Sequence, residues 1–286
     1  MTLRIVKMAI SLVVRLVDGM RNVLRRLTGS RSPGRGVVLY YHSVGDSERR
    51  RFARQMDQVA RRSHPVSLGG IQRMGEGRYV MVTFDDGFEC AARNAFPELA
   101  RRGIPSMMFL PSGCLGRHPD WLIGTGHDDY RERILEAEAV RKLSANPLIA
   151  FGSHCRTHKN LLSLDEGESL REIRDSKADL ERLLGSGVGS ISFPFGAYDD
   201  RHVELAIEAG YEACFSVSPE PCRGGERVIG RVRVDPADWP LEFHLKMTGA
   251  YRWMAPVTAM KRKMRKAIVG SLPSVSSAVP RDRCAR

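Results

Sequence analysis

Residues 79–88 of this chain, Tyr-Val-Met-Val-Thr-Phe-Asp-Asp-Gly-Phe, join an apolar run to two adjacent carboxylates and a glycine. The apolar run predicts a buried strand, and neighbouring side chains on a strand point to opposite faces. Asp85 and Asp86 can therefore reach one site only if the backbone turns where the strand ends, which Gly87 permits. The stretch predicts either a functional strand end or an ordinary turn, since Asp and Gly occur in both.

Similar short apolar runs recur along the chain, and segments with helical periodicity separate most of them. The runs occupy residues 37–42, 79–86, 104–111, 148–154, 190–196, 212–217 and 228–234, and the clearest helical segments occupy residues 89–102, 131–145, 165–184 and 201–209. This alternation predicts an α/β fold with a mostly parallel sheet and functional residues in the loops after the strands. About seven strands suggest a barrel, which periodicity alone does not distinguish from an open doubly wound sheet.

The positive charge of the chain is concentrated at its two ends. The 286 residues carry a formal net charge of +12, yet residues 1–36 and 256–286 each hold eight basic residues and one acid. The body between them is nearly neutral, which argues against a nucleic-acid-binding protein. We expect a basic amphipathic helix and linker over residues 1–36, one domain over residues 37–255, and a basic, disordered tail over residues 256–286.

An apolar stripe runs along the N-terminal segment at helical spacing. It consists of Leu3, Val6, Ile10, Val13, Val17, Met20, Leu24 and Leu27. Such a helix could lie on an anionic membrane surface, form a coiled-coil seam or dock on the protein's own body. Residues 1–30 and the basic run at 261–266 could both contact the membrane surface. Because the apolar run at residues 8–14 is too short to span a bilayer and no signal-cleavage pattern follows, we expect a cytoplasmic, membrane-associated protein, with export as the alternative.

Two further motifs follow later strands. In residues 152–158, Gly-Ser-His-Cys-Arg-Thr-His, His154 and His158 stand four positions apart and would share one face of a helix. With an aspartate they would form a metal site of two histidines and one carboxylate, whereas solvated surface histidines are the alternative. Residues 192–196, Ser-Phe-Pro-Phe-Gly, predict a strand-end loop whose backbone N–H groups could face an anion.

In this order and spacing, the three motifs resemble those of the polysaccharide deacetylase family, also called the NodB homology domain or carbohydrate esterase family 4. The resemblance runs over roughly residues 37–253 and implies a distorted (β/α) barrel. It also implies metal-dependent hydrolysis of the N-acetyl group of an N-acetylhexosamine-containing glycan or glycolipid-linked precursor in bacterial surface polysaccharide synthesis or modification, with release of acetate. A catalytically silent glycan-binding protein is the alternative function.

Residue roles follow from the resemblance, motif by motif. It makes Asp85 the general base, and the backbone N–H of Phe195, beside Pro194, a donor to the oxyanion. The expected metal is zinc, with cobalt, nickel or iron as alternatives. The expected metal ligands are Asp86, His154 and His158.

The sequence departs from the family pattern around the base and the acid. Many members have an arginine near the position of Ser192 that pairs with the base, so Arg231 or Asp235 could orient the base here. Residues 235–239 look like the D-x-x-x-W motif of the family, which makes Trp239 a candidate substrate contact. The expected acid motif is not clear, and His42 is the candidate general acid, as in circularly permuted members. A buried, hydrogen-bonded histidine at a strand end is the alternative role for His42.

Overall fold

The computed structural model describes residues 1–29, 34–260 and 264. Five of the six residues in the basic run 261–266, and the whole tail after it, lie outside the described residues, so their predicted roles stay predictions. Residues 255–260 are helical, so regular structure crosses the boundary predicted at residue 256.

The centre of the fold is a parallel sheet. Its strands are β1 (Arg35–Tyr41), β2 (His64–Pro65), β3 (Arg78–Phe84), β4 (Ser106–Leu110), β5 (Ile149–Ser153), β6 (Ser190–Ser192), β7 (Ala213–Phe215), β8 (Val228–Ile229) and β9 (Arg231–Arg233). The hydrogen-bonded order is β8-β7-β6-β5-β4-β3-β1-β9, with β2 beside β3. All seven predicted runs contain strands, and the last is divided at Gly230. The two end strands of the path, β8 and β9, are therefore neighbours in sequence.

Helices occupy most of the gaps between strands. They are α1 (Thr2–Leu27), α2 (Arg49–Arg62), α3 (Leu68–Gln72), α4 (Glu89–Asn94), α5 (Phe96–Ala100), α6 (Ala137–Ser144), α7 (Glu166–Leu184), α8 (Asp200–Glu208) and α9 (Pro240–Met247). The single helix predicted over residues 89–102 is interrupted at Ala95, close to Pro97, whose ring removes a backbone donor. The helix predicted over residues 131–145 is confined to α6. The prediction for α7 is confirmed, since Asp165 caps its start and Gly185 ends it at a φ of 67°.

Alternating strand side chains build apolar cores on both faces of the sheet. On β1, Leu39 and Tyr41 belong to the larger core, which includes helical residues such as Phe52 of α2. Val38, the residue before Leu39, packs into a second core together with residues of four other strands: Met81, Met107, Phe109, Phe215 and Ile229. Strands buried on both faces are typical of parallel sheets. The polar motif residues lie beyond these buried faces, at the carboxyl ends of the strands.

The N-terminal helix α1 docks on the body of the protein by the side that carries the buried Ser11 and Asp18 together with Met8 and Val14, and not by the predicted apolar stripe. Trp253 Nε1 donates a hydrogen bond to the buried Ser11 Oγ at 2.9 Å, and Arg35 and Arg252 form ion pairs with Asp18. All eight residues of the predicted apolar stripe are at least 39% exposed. No helix among the described residues has the length and apolar character to cross a bilayer. Of the three arrangements predicted for this helix, docking on the body is therefore the one observed. It leaves the apolar stripe exposed.

Candidate active site

The three motifs meet at the carboxyl ends of β3, β5 and β6, which lie on the same side of the sheet. They line an open cavity of about 1020 Å³. The predicted site residues that line it are His42, Asp85, Asp86, His154, His158 and Phe195. The sheet topology therefore gathers residues from four separate parts of the sequence into one cavity.

The turn after β3 brings both carboxylates into this cavity. Asp86 has a φ of 68° and Gly87 a φ of 73°, so the left-handed turn begins one residue before the glycine that predicted it. Asp85 and Asp86 are both buried. A left-handed backbone is costly for a non-glycine residue and is often retained at functional sites. The other described non-glycine residues with a positive φ also belong to the predicted motifs: Cys155, His158 and Phe195.

The two histidines are brought together by a loop, and the helix on which their spacing relied is absent. Residues 154–158 have no helical turn, and Cys155 and His158 have φ values of 60° and 56°. The loop folds back so that the imidazole ring centres of His154 and His158 are 4.9 Å apart. The spacing argument for a shared helix face was wrong, although the proximity that it predicted is present.

A glutamate on α7 holds the shape of this loop. The buried Glu172 carboxylate accepts hydrogen bonds from the backbone N–H of Arg156 and Thr157 at 3.0 and 2.7 Å, and from Thr157 Oγ1 at 2.5 Å. Sequence reasoning missed Glu172. The available signal was a carboxylate on the face of α7 that also carries the buried Ile173, Ser176 and Leu180.

The residues predicted as metal ligands form a suitable donor set. One ligand atom from each of Asp86, His154 and His158 lies within 4.8 Å of the others, and all three residues are buried. Asp86 Oδ1 is 3.4 Å from His154 Nε2 and 3.0 Å from His158 Nε2, yet it has no hydrogen-bond partner among the described residues. The Nδ1 atom of His154 is 2.6 Å from the Ser192 carbonyl oxygen, which as an N–H donor would leave Nε2 available to a metal.

The charge state of the carboxylate also fits a metal ligand. Burial acts to raise the pKa of Asp86, but contact with His158 and His154 outweighs burial and holds the pKa well below its ordinary value. The carboxylate is therefore ionised, as metal coordination requires. Two imidazoles and one carboxylate with room beside them fit zinc or another first-row divalent ion.

Arg231 forms a two-point ion pair with the other carboxylate. Its Nη1 and Nη2 atoms donate to Asp85 Oδ1 and Oδ2 at 2.7 and 2.9 Å, and Nη2 also donates to Ser192 Oγ at 2.7 Å. Ser192, which stands nearest the expected arginine position, thus receives a hydrogen bond from an arginine on a different strand. Burial acts to raise the pKa of Asp85, but Arg231 and His154 outweigh burial and lower it.

The guanidinium of Arg231 is itself enclosed, with 1% of the residue exposed. Its central carbon lies 4.6 Å from the ring centre of Tyr40, 5.3 Å from that of Phe109 and 5.8 Å from that of Phe215. Aromatic faces attract a cation and restrict its movement. The rings, Asp85 and Ser192 together surround the guanidinium, which contacts both carboxylate oxygens of Asp85.

Aromatic rings surround the outer side of the histidine pair. Trp121 stacks on His158 with ring centres 3.9 Å apart, and Phe195 meets the same imidazole edge-on at 4.7 Å. Phe195 is 47% exposed and lines the cavity. The sequence provided no specific signal for Trp121 beyond its place in the loop between β4 and α6. His42 lies at the end of β1 and lines the same cavity.

Two predicted site residues lie elsewhere. Trp239 stands before α9, and its ring contacts the Arg4 guanidinium of α1 at 4.7 Å, outside the cavity lining. Asp235 Oδ1 accepts a hydrogen bond from the Ala237 backbone within a local turn, whereas Asp85 is paired with Arg231. Trp239 and Asp235 therefore lie outside the lining of the cavity that the other predicted motif residues share, and their predicted roles stay predictions. Pro194 is buried in the loop after β6, next to Phe195 in sequence.

We expect Glu172→Gln to weaken zinc binding by about ten- to a hundredfold, the usual effect of losing a residue that supports a metal ligand. Glutamine offers one acceptor oxygen where the carboxylate has two, so the loop that carries His158 loses part of its restraint. Competition with a zinc-binding dye would measure the affinity. Asp175→Asn, one turn further along α7, removes a carboxylate paired with Arg174 at the surface and should leave zinc affinity unchanged. Equal affinities for the two variants would contradict the supporting role of Glu172.

Comparison with known proteins points to one family. The family model named polysaccharide deacetylase matches residues 72–214, half of the chain. The Bacillus subtilis protein YxkH, whose name also describes it as a polysaccharide deacetylase, is 26% identical over 159 residues, or 55% of this chain and 52% of YxkH. The match thus spans about half the length of this curated relative.

Solved structures show the same fold. The structure of IcaB from Ammonifex degensii has a TM-score of 0.63 at 26% identity, covering 76% of this chain and 98% of that one. The Streptococcus pyogenes deacetylase PplD has a TM-score of 0.62 at 18% identity, covering 76% and 99%. With its parallel α/β sheet and three motifs at the strand ends, the chain belongs to the polysaccharide deacetylase family.

Proposed function

We propose that this protein is a metal-dependent N-deacetylase that removes the acetyl group from an N-acetylhexosamine unit of a glycan or glycolipid-linked precursor in bacterial surface polysaccharide synthesis or modification. The observation that carries the proposal is the buried Asp86–His154–His158 set next to the Asp85–Arg231 pair in one open cavity. A divalent metal held by the three ligands, zinc in our proposal, would supply a Lewis acid that polarises the amide carbonyl and lowers the pKa of water.

Asp85 is the proposed general base. Its pKa is low, so the carboxylate is ionised, and its lone pairs outside the two Arg231 contacts can accept a proton from the attacking water. The bidentate arginine restricts rotation of the carboxylate, which keeps the proton-accepting oxygen directed into the cavity. Arg231 is therefore proposed as a positioning residue.

The remaining steps concern the oxyanion and the leaving amine. Water oxygen forms a bond to the amide carbon, and the backbone N–H of Phe195 is proposed to donate to the resulting oxyanion. The C–N bond then breaks, the amine leaves with a proton, and acetate is released. His42 lines the cavity and is proposed as the group that gives this proton to the amine.

The second part of the proposal concerns location. Helix α1 exposes twelve large apolar residues after Met1. The same helix carries five arginine and lysine residues whose side chains the structure describes. This combination is typical of helices that lie on anionic membranes. We propose that the enzyme works at a membrane surface, where a lipid-linked glycan would also be found.

Removal of the metal should abolish acetate release. We expect dipicolinate treatment to lower the rate by about a hundredfold or more, since a Lewis acid contributes several kcal/mol to such transition states. The assay would follow acetate released from N-acetylglucosamine oligomers, with the metal content of the same sample determined by emission spectrometry. Stoichiometric zinc should restore the rate.

Three outcomes would contradict this assignment in different ways. Full activity after the metal has been removed would exclude a metal-dependent reaction. A protein that binds oligomers but neither binds metal nor releases acetate would be the silent glycan-binding protein. Release of acetate by His42→Gln at the wild-type rate would exclude His42 as the acid and leave the base and metal assignments standing.

A further inference from the structure

The docked helix α1 forms one wall of an apolar groove. The other wall is α9, and the groove between them has a volume of about 680 Å³ and is open to solvent. Its apolar lining includes Leu12, Leu16, Met20, Leu24, Leu241 and Leu245. This volume lies in the range of small-molecule sites, and an elongated apolar groove suits an acyl chain.

The groove also has a strongly cationic edge. Arg15 and His244 line it, and Arg62 Nη1 is 3.1 Å from His244 Nδ1. Arg78 Nη1 lies 3.4 Å from the Arg62 carbonyl oxygen, which accepts its hydrogen bond. Three guanidiniums and one imidazole thus lie together at one edge of the apolar groove. We call these four residues, Arg15, Arg62, Arg78 and His244, the arginine cluster.

The arginine cluster lacks counterions within the part of the chain that the structure describes. None of its three arginines forms an ion pair with a described carboxylate, and Arg15 Nε is buried with no hydrogen-bond partner among residues 1–29 and 34–260. The nearest acid on α1, Asp18, is occupied by Arg35 and Arg252. Burial and the three guanidiniums lower the pKa of His244, so its imidazole is neutral and can accept the Arg62 hydrogen bond. An anion with several oxygens would match the unpaired donors.

We propose that the groove between α1 and α9 binds an anionic phospholipid of the membrane surface, with an acyl chain along the apolar walls and the phosphate at the arginine cluster. This inference rests on the proposed membrane location and specifies the site that produces it. Charge complementarity selects this occupant, because a second copy of the chain would bring another basic α1, and residues 261–266 of the chain are themselves basic.

The arginine cluster lies far from the catalytic cavity, so a lipid bound there would anchor the enzyme and would not be its substrate. Arg78 begins β3, and Asp85 follows the opposite end of the same strand. Because a strand rises about 3.3 Å per residue, the cluster lies roughly 20 Å from the proposed base. A lipid held there would attach the enzyme to the membrane while the catalytic cavity, at the other edge of the sheet, stays accessible to a glycan.

Vesicle sedimentation with the full chain would test this site. We expect binding to vesicles that contain phosphatidylglycerol and little binding to phosphatidylcholine alone. The double variant Arg15→Gln/Arg62→Gln should bind the anionic vesicles about tenfold or more weakly, because each basic group near a membrane contributes about 1 kcal/mol. The matched control, Arg141→Gln/Arg171→Gln, removes the same charge from α6 and α7, which contact each other away from α1, and should bind like wild type.

The apolar part of the site has its own test. Leu12 and Leu16 line the groove and are 40% and 60% exposed. Because they are exposed, the fold should tolerate the double variant Leu12→Gln/Leu16→Gln. Because they line the groove, its binding to anionic vesicles should be weaker than that of wild type. Acetate release from a soluble oligomer should be unchanged in all these variants, since none lies in the catalytic cavity.

The outcomes separate this site from the proposals on which it rests. Equal losses in the cluster variant and the matched control would overturn the site in favour of general charge attraction. Absence of wild-type binding to either vesicle would overturn both the site and the membrane location. Concentration-dependent dimers that the leucine variant abolishes, without vesicle binding, would assign the groove to a second copy. Vesicle binding as expected without acetate release would support the site and count against the proposed catalytic function.

Discussion

Asp85→Asn should retain zinc and lower acetate release by about 10²- to 10⁴-fold, the usual contribution of a general base. Asparagine has nearly the same shape, and its amide oxygen can still accept a hydrogen bond from Arg231, but the amide cannot take a proton from water. The ligand set of Asp86, His154 and His158 is unaltered by this change. Zinc content after gel filtration and acetate release from N-acetylglucosamine oligomers would be measured on the same preparation.

The adjacent carboxylate provides the matched control. Asp86→Ala removes a metal ligand, so both zinc and activity should be lost, whereas Asp85→Asn should lose only activity. The two aspartates are neighbours in sequence and equally buried, so a difference between the variants would reflect chemistry and not general damage to the turn. Acetate release by Asp85→Asn near the wild-type rate would refute the assignment of the base, and loss of zinc from it would assign Asp85 to the metal.

Arg231→Met should lower the free energy of unfolding by about 3–5 kcal/mol, which is the usual cost of removing one partner of a buried ion pair. Methionine fills much of the space between the aromatic rings, but the buried Asp85 carboxylate then faces a cavity without its cation. Urea unfolding followed by circular dichroism would measure the loss. Arg93→Met breaks an exposed pair with Asp46 and should leave the free energy of unfolding close to that of wild type.

A double variant distinguishes the ion pair from simple packing. Arg231→Met/Asp85→Ala removes both charges, so it should be more stable than Arg231→Met alone, because no unpaired carboxylate remains in the core. If the double variant is no more stable than the single one, the loss comes from packing against Tyr40 and Phe109. A loss smaller than about 1 kcal/mol in Arg231→Met would contradict the importance of the pair.

Much of the fold could be predicted because short-range patterns control it. Each of the seven apolar runs contains a strand, and glycines end helices where a left-handed residue is needed, as Gly185 does after α7. Local periodicity failed in two places, one where a short strand depends on its neighbour and one where a proline interrupts a helix. The two-residue β2 exists through its pairing with β3, and the helix predicted over residues 89–102 is broken by its own proline.

The site was predictable in its residues but not in its geometry. The histidine spacing suggested a helix, whereas a loop with two left-handed residues, held by Glu172 from α7, brings the rings together. Trp121 reaches His158 from a loop that has no regular pattern. Such contacts join residues that are far apart in sequence, so neither periodicity nor motif spacing contains them.

The sequence by itself determined the order of the seven strand-containing runs, the helices α7 and α8 and the motif residues, since backbone period and the chemistry of Asp, His and Gly are local properties. Only the tertiary structure decided that Arg231 pairs with Asp85, because that contact depends on how β9 is placed beside β1. It also decided the orientation of α1. The apolar stripe alone was compatible with an anionic membrane surface, a coiled-coil seam or docking on the body, whereas ion pairs from Arg35 and Arg252 to Asp18 direct that side of the helix inward and leave the stripe exposed.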